Sequence, residues 1–107
     1  MTTKEVFEEM QQRLSQKDSA QLAGSQGVYQ FMLTGEDAAE YFVRVGSDGV
    51  RVEAGTAEDA AVTVTMTADD FKDLAGGKLN PMSAFMGGKL SVTGDMSMAL
   101  KLQTLIG

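Results

Sequence analysis

The side chains able to do acid–base or nucleophilic work are few in kind. Histidine and cysteine are both absent. Their absence removes thiolate nucleophiles, thiolate or imidazole zinc sites, disulfides and any Ser-His-Asp triad. Carboxylate, lysine and tyrosine chemistry remain. Asp69, Asp70 and Asp73 form an acidic group, but they sit where a helix is expected to begin. A negative charge there is favourable by about 0.3–1 kcal/mol, and the calcium-loop spacing is missing. Gly76-Gly77-Lys78 and Gly87-Gly88-Lys89 look like pieces of a phosphate loop. The Walker spacing fails, because no glycine lies five residues before Gly88 and Leu90 stands where Ser or Thr is required. Helix termination explains both pairs. Arg44 and Arg51 are suited to a carboxylate or phosphate headgroup, although arginines on a wet sheet face usually pair with neighbours such as Glu53. No paired carboxylate constellation supports catalysis, so no enzyme and no cofactor are expected.

Methionine is the other conspicuous residue. Met82, Met86, Met96 and Met98 fall in one short stretch of a chain with eight methionines. An unbranched, polarizable side chain fills irregular space and tolerates changing partners. Core filling at a crowded helix junction and a pocket for flexible acyl chains both fit. Composition alone favours the core.

The elements that position these residues follow from periodicity. Thr2 and Glu5 have capping-box spacing, and Val6, Phe7, Met10 and Leu14 form one stripe, predicting a helix from Thr2 to about Lys17. Ser19 to Gly27 reads as a loop. From Val28 the period becomes two. Strands are expected around Tyr29, Phe31 and Leu33, around Tyr41, Val43 and Val45, and around Val50, Val52 and Ala54. A fourth surrounds Val62, Val64 and Met66. Thr34-Gly35-Glu36-Asp37 and Gly46-Ser47-Asp48-Gly49 supply turns. Short turns suggest an antiparallel meander with one apolar face and one face bearing Arg44, Arg51, Glu53 and a row of threonines. Thr67 then caps a helix burying Phe71 and Leu74. Asn80 and Pro81 open a two-turn helix that Gly87 and Gly88 close. Leu90 and Val92 mark a fifth strand, and Asp95 caps a last helix. Met98, Leu102, Leu105 and Ile106 form its stripe, and Met96, Ala99 and Leu100 widen it beyond a normal core face.

Length and charge bound the rest. The chain has 107 residues, sized for a single domain over 1–107. No apolar run approaches a membrane span, and no secretion signal is evident, so a cytoplasmic location is the default. The formal charge of −6, with no Lys/Arg cluster, argues against nucleic acid. It also argues against lasting attachment to an anionic membrane, while leaving room for transient contact through a small apolar or basic patch. A monomer or a weak dimer is expected.

Read together, Asp70-Phe71, Leu74, Gly77-Lys78-Leu79-Asn80-Pro81, Ala84-Phe85-Met86, Gly88-Lys89-Leu90, Gly94-Asp95, Ala99 and Lys101-Leu102 form a long ordered pattern. It resembles that of the sterol carrier protein 2 domain, or non-specific lipid-transfer protein. The resemblance implies an α+β fold, with a five-stranded mainly antiparallel sheet covered on one face by helices. It also implies a hydrophobic tunnel between sheet and helices that holds fatty acid, fatty acyl-CoA or a sterol-like lipid, with no chemistry of its own. On that reading Phe71, Leu74, Met82, Phe85, Met86, Met98, Leu102, Leu105 and Ile106 are the expected wall. The chain has no peroxisomal tail, so it looks like a free-standing bacterial form, for which fatty acid or acyl-CoA is a better ligand than sterol. The alternative is a dimerising or accessory module that uses its apolar last helix without carrying lipid.

Overall fold

The computed structural model describes residues 2–16, 24, 26–99 and 101. Helix α1 (Thr3–Ser15) begins with the expected capping box. The Thr2 hydroxyl accepts from Glu5 N, and a Glu5 carboxylate oxygen accepts from Thr2 N at 2.9 Å. Strands β1 (Gly27–Thr34), β2 (Ala39–Gly46) and β3 (Gly49–Ala54) follow. Strand β4 (Val62–Thr67) leads directly into α2 (Ala68–Ala75), then α3 (Pro81–Met86), β5 (Leu90–Gly94) and α4 (Met96–Ala99).

The five strands form one sheet in the order β3-β2-β1-β4-β5. Three pairs are antiparallel, but β1 and β4 run parallel, with Tyr29 opposite Val62 and Phe31 opposite Val64. The simple meander expected from the short turns is therefore broken after β3. The chain must cross back over β2 and β1 to lay down β4, and it does so on the face away from the helices. Gln30, buried on that face, fastens the crossover. Its amide donates to the carbonyls of Tyr41 and Gly55 at 3.0 and 3.1 Å and accepts from Ala57 N at 2.8 Å. Arg44 grips the same segment through Asp59, at 2.7 and 3.2 Å, rather than the expected Glu53.

The other face carries the core. Tyr29, Phe31 and Leu33 of β1 lie between Val43 and Val45 of β2 and Val62, Val64 and Met66 of β4, all buried. Helix α1 lays Val6, Phe7, Met10 and Leu14 on this surface. Phe7 is the hub. Its ring stacks on Tyr41 at 4.1 Å and Phe71 at 4.7 Å and meets the edge of Phe31 at 5.7 Å. Such pairs add about 0.5–1.5 kcal/mol each beyond area burial. Gln11 closes the open edge of β3 like a strand neighbour. Its amide accepts from Val52 N at 2.6 Å and donates to Val50 O at 2.8 Å, satisfying edge groups that would otherwise invite another strand.

Candidate functional site

The second cover of the sheet is built by three short helices around β5. Helix α2 is capped by the Thr67 hydroxyl, which accepts from Asp70 N at 3.1 Å. It ends in a Schellman motif: Gly77 N donates to Leu74 O and Lys78 N to Asp73 O, with Gly77 at φ +78°. Helix α3 repeats the arrangement. Asn80 Oδ1 accepts from Met82 N and Ser83 N, and Pro81 takes the first helical position, where its missing N–H costs nothing. At the far end Gly88 N donates to Phe85 O and Lys89 N to Ala84 O, with Gly88 at φ +77°. The two Gly-Gly-Lys sequences are thus one device used twice. Helix α4 is held by Asp95, whose Oδ1 accepts from Ser97 N at 2.9 Å and the Ser97 hydroxyl at 2.6 Å. Those bonds, the hydroxyl first, hold the Asp95 carboxyl below its ordinary pKa.

The expected wall residues fall into three groups. Phe71 and Leu74 of α2 are buried among Phe7, Phe31 and the β4 side chains. Met98 of α4 is also buried, and its methyl group lies against Gly27, where a Cβ would stand 2.1 Å from it. The sheet places Leu90 and Val92 of β5 on the same core side. Met82, Phe85 and Met86 behave differently. They are 49%, 43% and 80% exposed, while Ala84 is fully buried. Spacing of i, i+3 and i+4 puts the three large side chains on one stripe, and that stripe points away from the core. Leu102, Leu105 and Ile106, with Leu100 and most of the loop expected at 19–27, lie outside the described residues.

Two further concavities open on the β2–β3 side. One, of about 420 Å³, is lined by Ser15, Arg44, Asp48, Val50, Arg51 and the hairpin glycines. The other, of about 280 Å³, has a floor of Phe7, Tyr41 and Val52 and a lip of Glu8, Gln11 and Gln12. Neither contains an expected wall residue. Sequence reasoning placed Phe7 in the helix stripe but had no signal for the gap beside it, which depends on where α1 crosses the sheet. The alternating pattern marks Tyr29 only as a strand residue. Burial, and then the Asp95 charge, push its phenol up to about 12, so the core beneath α4 holds a neutral hydroxyl at physiological pH. Among the described residues no cluster of carboxylates is placed to hold a metal ion, and no helix is long and apolar enough to cross a membrane.

This arrangement has counterparts. The chain is 45% identical over 83 residues to Hydroxysteroid dehydrogenase-like protein 2 of Pongo abelii, covering 77% of this chain and 20% of that protein. It therefore spans about a fifth of the length of the curated relatives it matches. Among solved structures, palmitated SCP2L2 from Aedes aegypti superposes with a TM-score of 0.82 at 25% identity, over 99% of this chain and 95% of that one. The sterol carrier protein domain 2 of Helicoverpa armigera gives a TM-score of 0.71 at 28% identity, over 92% and 80%. With the family model of the SCP-2 sterol transfer family matching residues 7–107, a five-stranded α+β sheet and the helical cover just described, the chain belongs to the SCP-2 sterol transfer family.

Proposed function

We propose that this chain is a carrier of single lipids, taking fatty acid or fatty acyl-CoA in preference to sterol, and that it works without catalysis as one domain of 1–107 in the cytoplasm. Its family is one of lipid binding and transfer, and the palmitated relative supports an acyl chain as ligand. The ligand would lie between the core face of the sheet and the C-terminal helices. Phe71, Leu74, Met98, Leu102, Leu105 and Ile106 would supply its wall, and Met82, Phe85 and Met86 the rim through which it passes. The dehydrogenase in the curated relatives' name would belong to the four-fifths of those proteins that this chain does not match.

The single observation that carries the reading is the outward stripe of α3. A helix too short to be stable alone spends two capping devices on presenting three large apolar side chains to water. Core formation gains nothing from that, whereas passage of an acyl chain does. Each buried methylene contributes about 0.8 kcal/mol, so ten contribute roughly 8 kcal/mol before ordering costs. Native mass spectrometry of freshly purified protein should show an added lipid mass. Phe85→Asp should abolish uptake of a fluorescent fatty acid while circular dichroism stays unchanged. Full uptake by a folded Phe85→Asp protein would remove Phe85 from the rim.

The same exposed stripe favours a second reading, in which it seats a second copy of the chain and no lipid is carried. Sizing with and without fatty acid separates the two, because a dimer seam should not respond to ligand.

A further inference from the structure

We infer that α3 and the lysines at its two ends form a docking surface for an anionic lipid bilayer. The stripe of Met82, Phe85 and Met86 is the apolar part, and it is held outward by the buried Ala84 on the opposite side of the helix. Lys78 and Lys89 are the charged part. Each occupies the same position after its helix, immediately beyond the left-handed glycine, and each uses its backbone N–H to close the motif. Both residues are exposed, and they flank the stripe in the chain, four residues before Met82 and three after Met86. Apolar side chains flanked by long cationic ones are what the boundary between headgroups and acyl chains accepts, since lysine stems can lie along apolar surface while the charge stays among phosphates.

The distribution of charge selects an anionic surface. The whole chain has 15 carboxylates against nine basic residues. From Leu74 to Gly94 there is no Asp or Glu, only Lys78 and Lys89. Carboxylates stop at Asp73 on α2 and resume at Asp95 before α4. The segment that carries this helix is therefore a basic stretch in a chain that is acidic as a whole. An anionic bilayer would repel the rest of the chain and attract α3, which orients the protein on approach. Two lysines and three side chains give brief, salt-sensitive contact rather than anchoring, in keeping with the overall charge of −6. The surface supplies the carrier proposed above with a place to exchange lipid. Its geometry stands whether or not lipid is carried.

The test is flotation of the purified chain with vesicles of phosphatidylcholine alone and of phosphatidylcholine with phosphatidylglycerol. Solution binding of a fluorescent fatty acid is measured in parallel, without vesicles. Binding is expected to the mixed vesicles only, and to fade at high salt. K78A/K89A should weaken it about thirtyfold, M82S/M86S should abolish it, and Lys4→Ala on α1 should leave it unchanged. Equal binding to both vesicles, or no effect of K78A/K89A, overturns the inference. So does a concentration-dependent dimer that M82S/M86S dissociates in the absence of vesicles, because the stripe would then belong to a second copy. If the unmodified chain fails to dock yet binds fatty acid, this surface alone is rejected, and if it docks yet binds no fatty acid, the carrier reading alone is rejected.

Discussion

Helices α1 and α3 are made by the same local rules and put to opposite uses. Each has a side-chain cap, a stripe of large apolar residues and a defined end. In α1 the stripe of Val6, Phe7, Met10 and Leu14 is buried, and Phe7 ties two strands to α2. In α3 the stripe faces water and the smallest side chain, Ala84, makes the core contact. Amphipathic spacing thus says that a helix has two faces. It does not say which one the protein keeps for itself. The first cover gives stability and the second gives up stability for an exposed surface, as binding elements commonly do.

The contrast can be attacked at its strongest point first. Phe7→Ala removes the ring shared by Tyr41, Phe31 and Phe71 and should cost about 3–5 kcal/mol. Urea unfolding measures it, and a loss below about 1 kcal/mol would mean that α1 does not hold the first cover. On the other helix, M82S/M86S should change stability by no more than about 0.5 kcal/mol while weakening lipid uptake. A large loss of stability there would show that the stripe is structural after all.

The smallest effect sharpens the comparison through pH. Asp37 accepts from Thr3 N at 2.6 Å and pairs with Lys72 at 3.1 Å, joining the start of α1 to α2. The Thr3 N–H, and then Lys72, hold its carboxyl below the ordinary value. A lowered folded pKa stabilises the fold above the unfolded value of about 4, and the contribution is lost as pH falls through the folded value. Acid titration followed by near-ultraviolet circular dichroism should show the α1 aromatic cluster loosening below about pH 4, less sharply in Asp37→Asn. The stripe of α3, with no carboxylate on it, should not respond.

Much of this was legible beforehand where the cause is local. Thr2 with Glu5, Asn80 with Pro81, and the two glycine pairs specify ends through contacts a few residues apart, and all appear as read. The alternation of Val62, Val64 and Met66 gave β4 its buried face. The parallel partner of β4 was not legible, since it depends on Gln30 and Arg44 fastening a crossover between residues far apart in the chain. Gln11 looked like a polar surface residue, and its role on the β3 edge exists only once α1 lies there. For the candidate site, the stripe of α3 was visible but its direction was not.

What the sequence determined by itself was the set of elements, their caps and the family pattern around Gly77 to Leu90. These rest on φ/ψ preferences and hydrogen bonds that span a turn or two. Only the tertiary structure decided which apolar face is kept and which is shown, because burial is shared among surfaces. The rings around Phe7 join α1 and α2 to the sheet, whereas Ala84 is the one residue of α3 that is buried in the core.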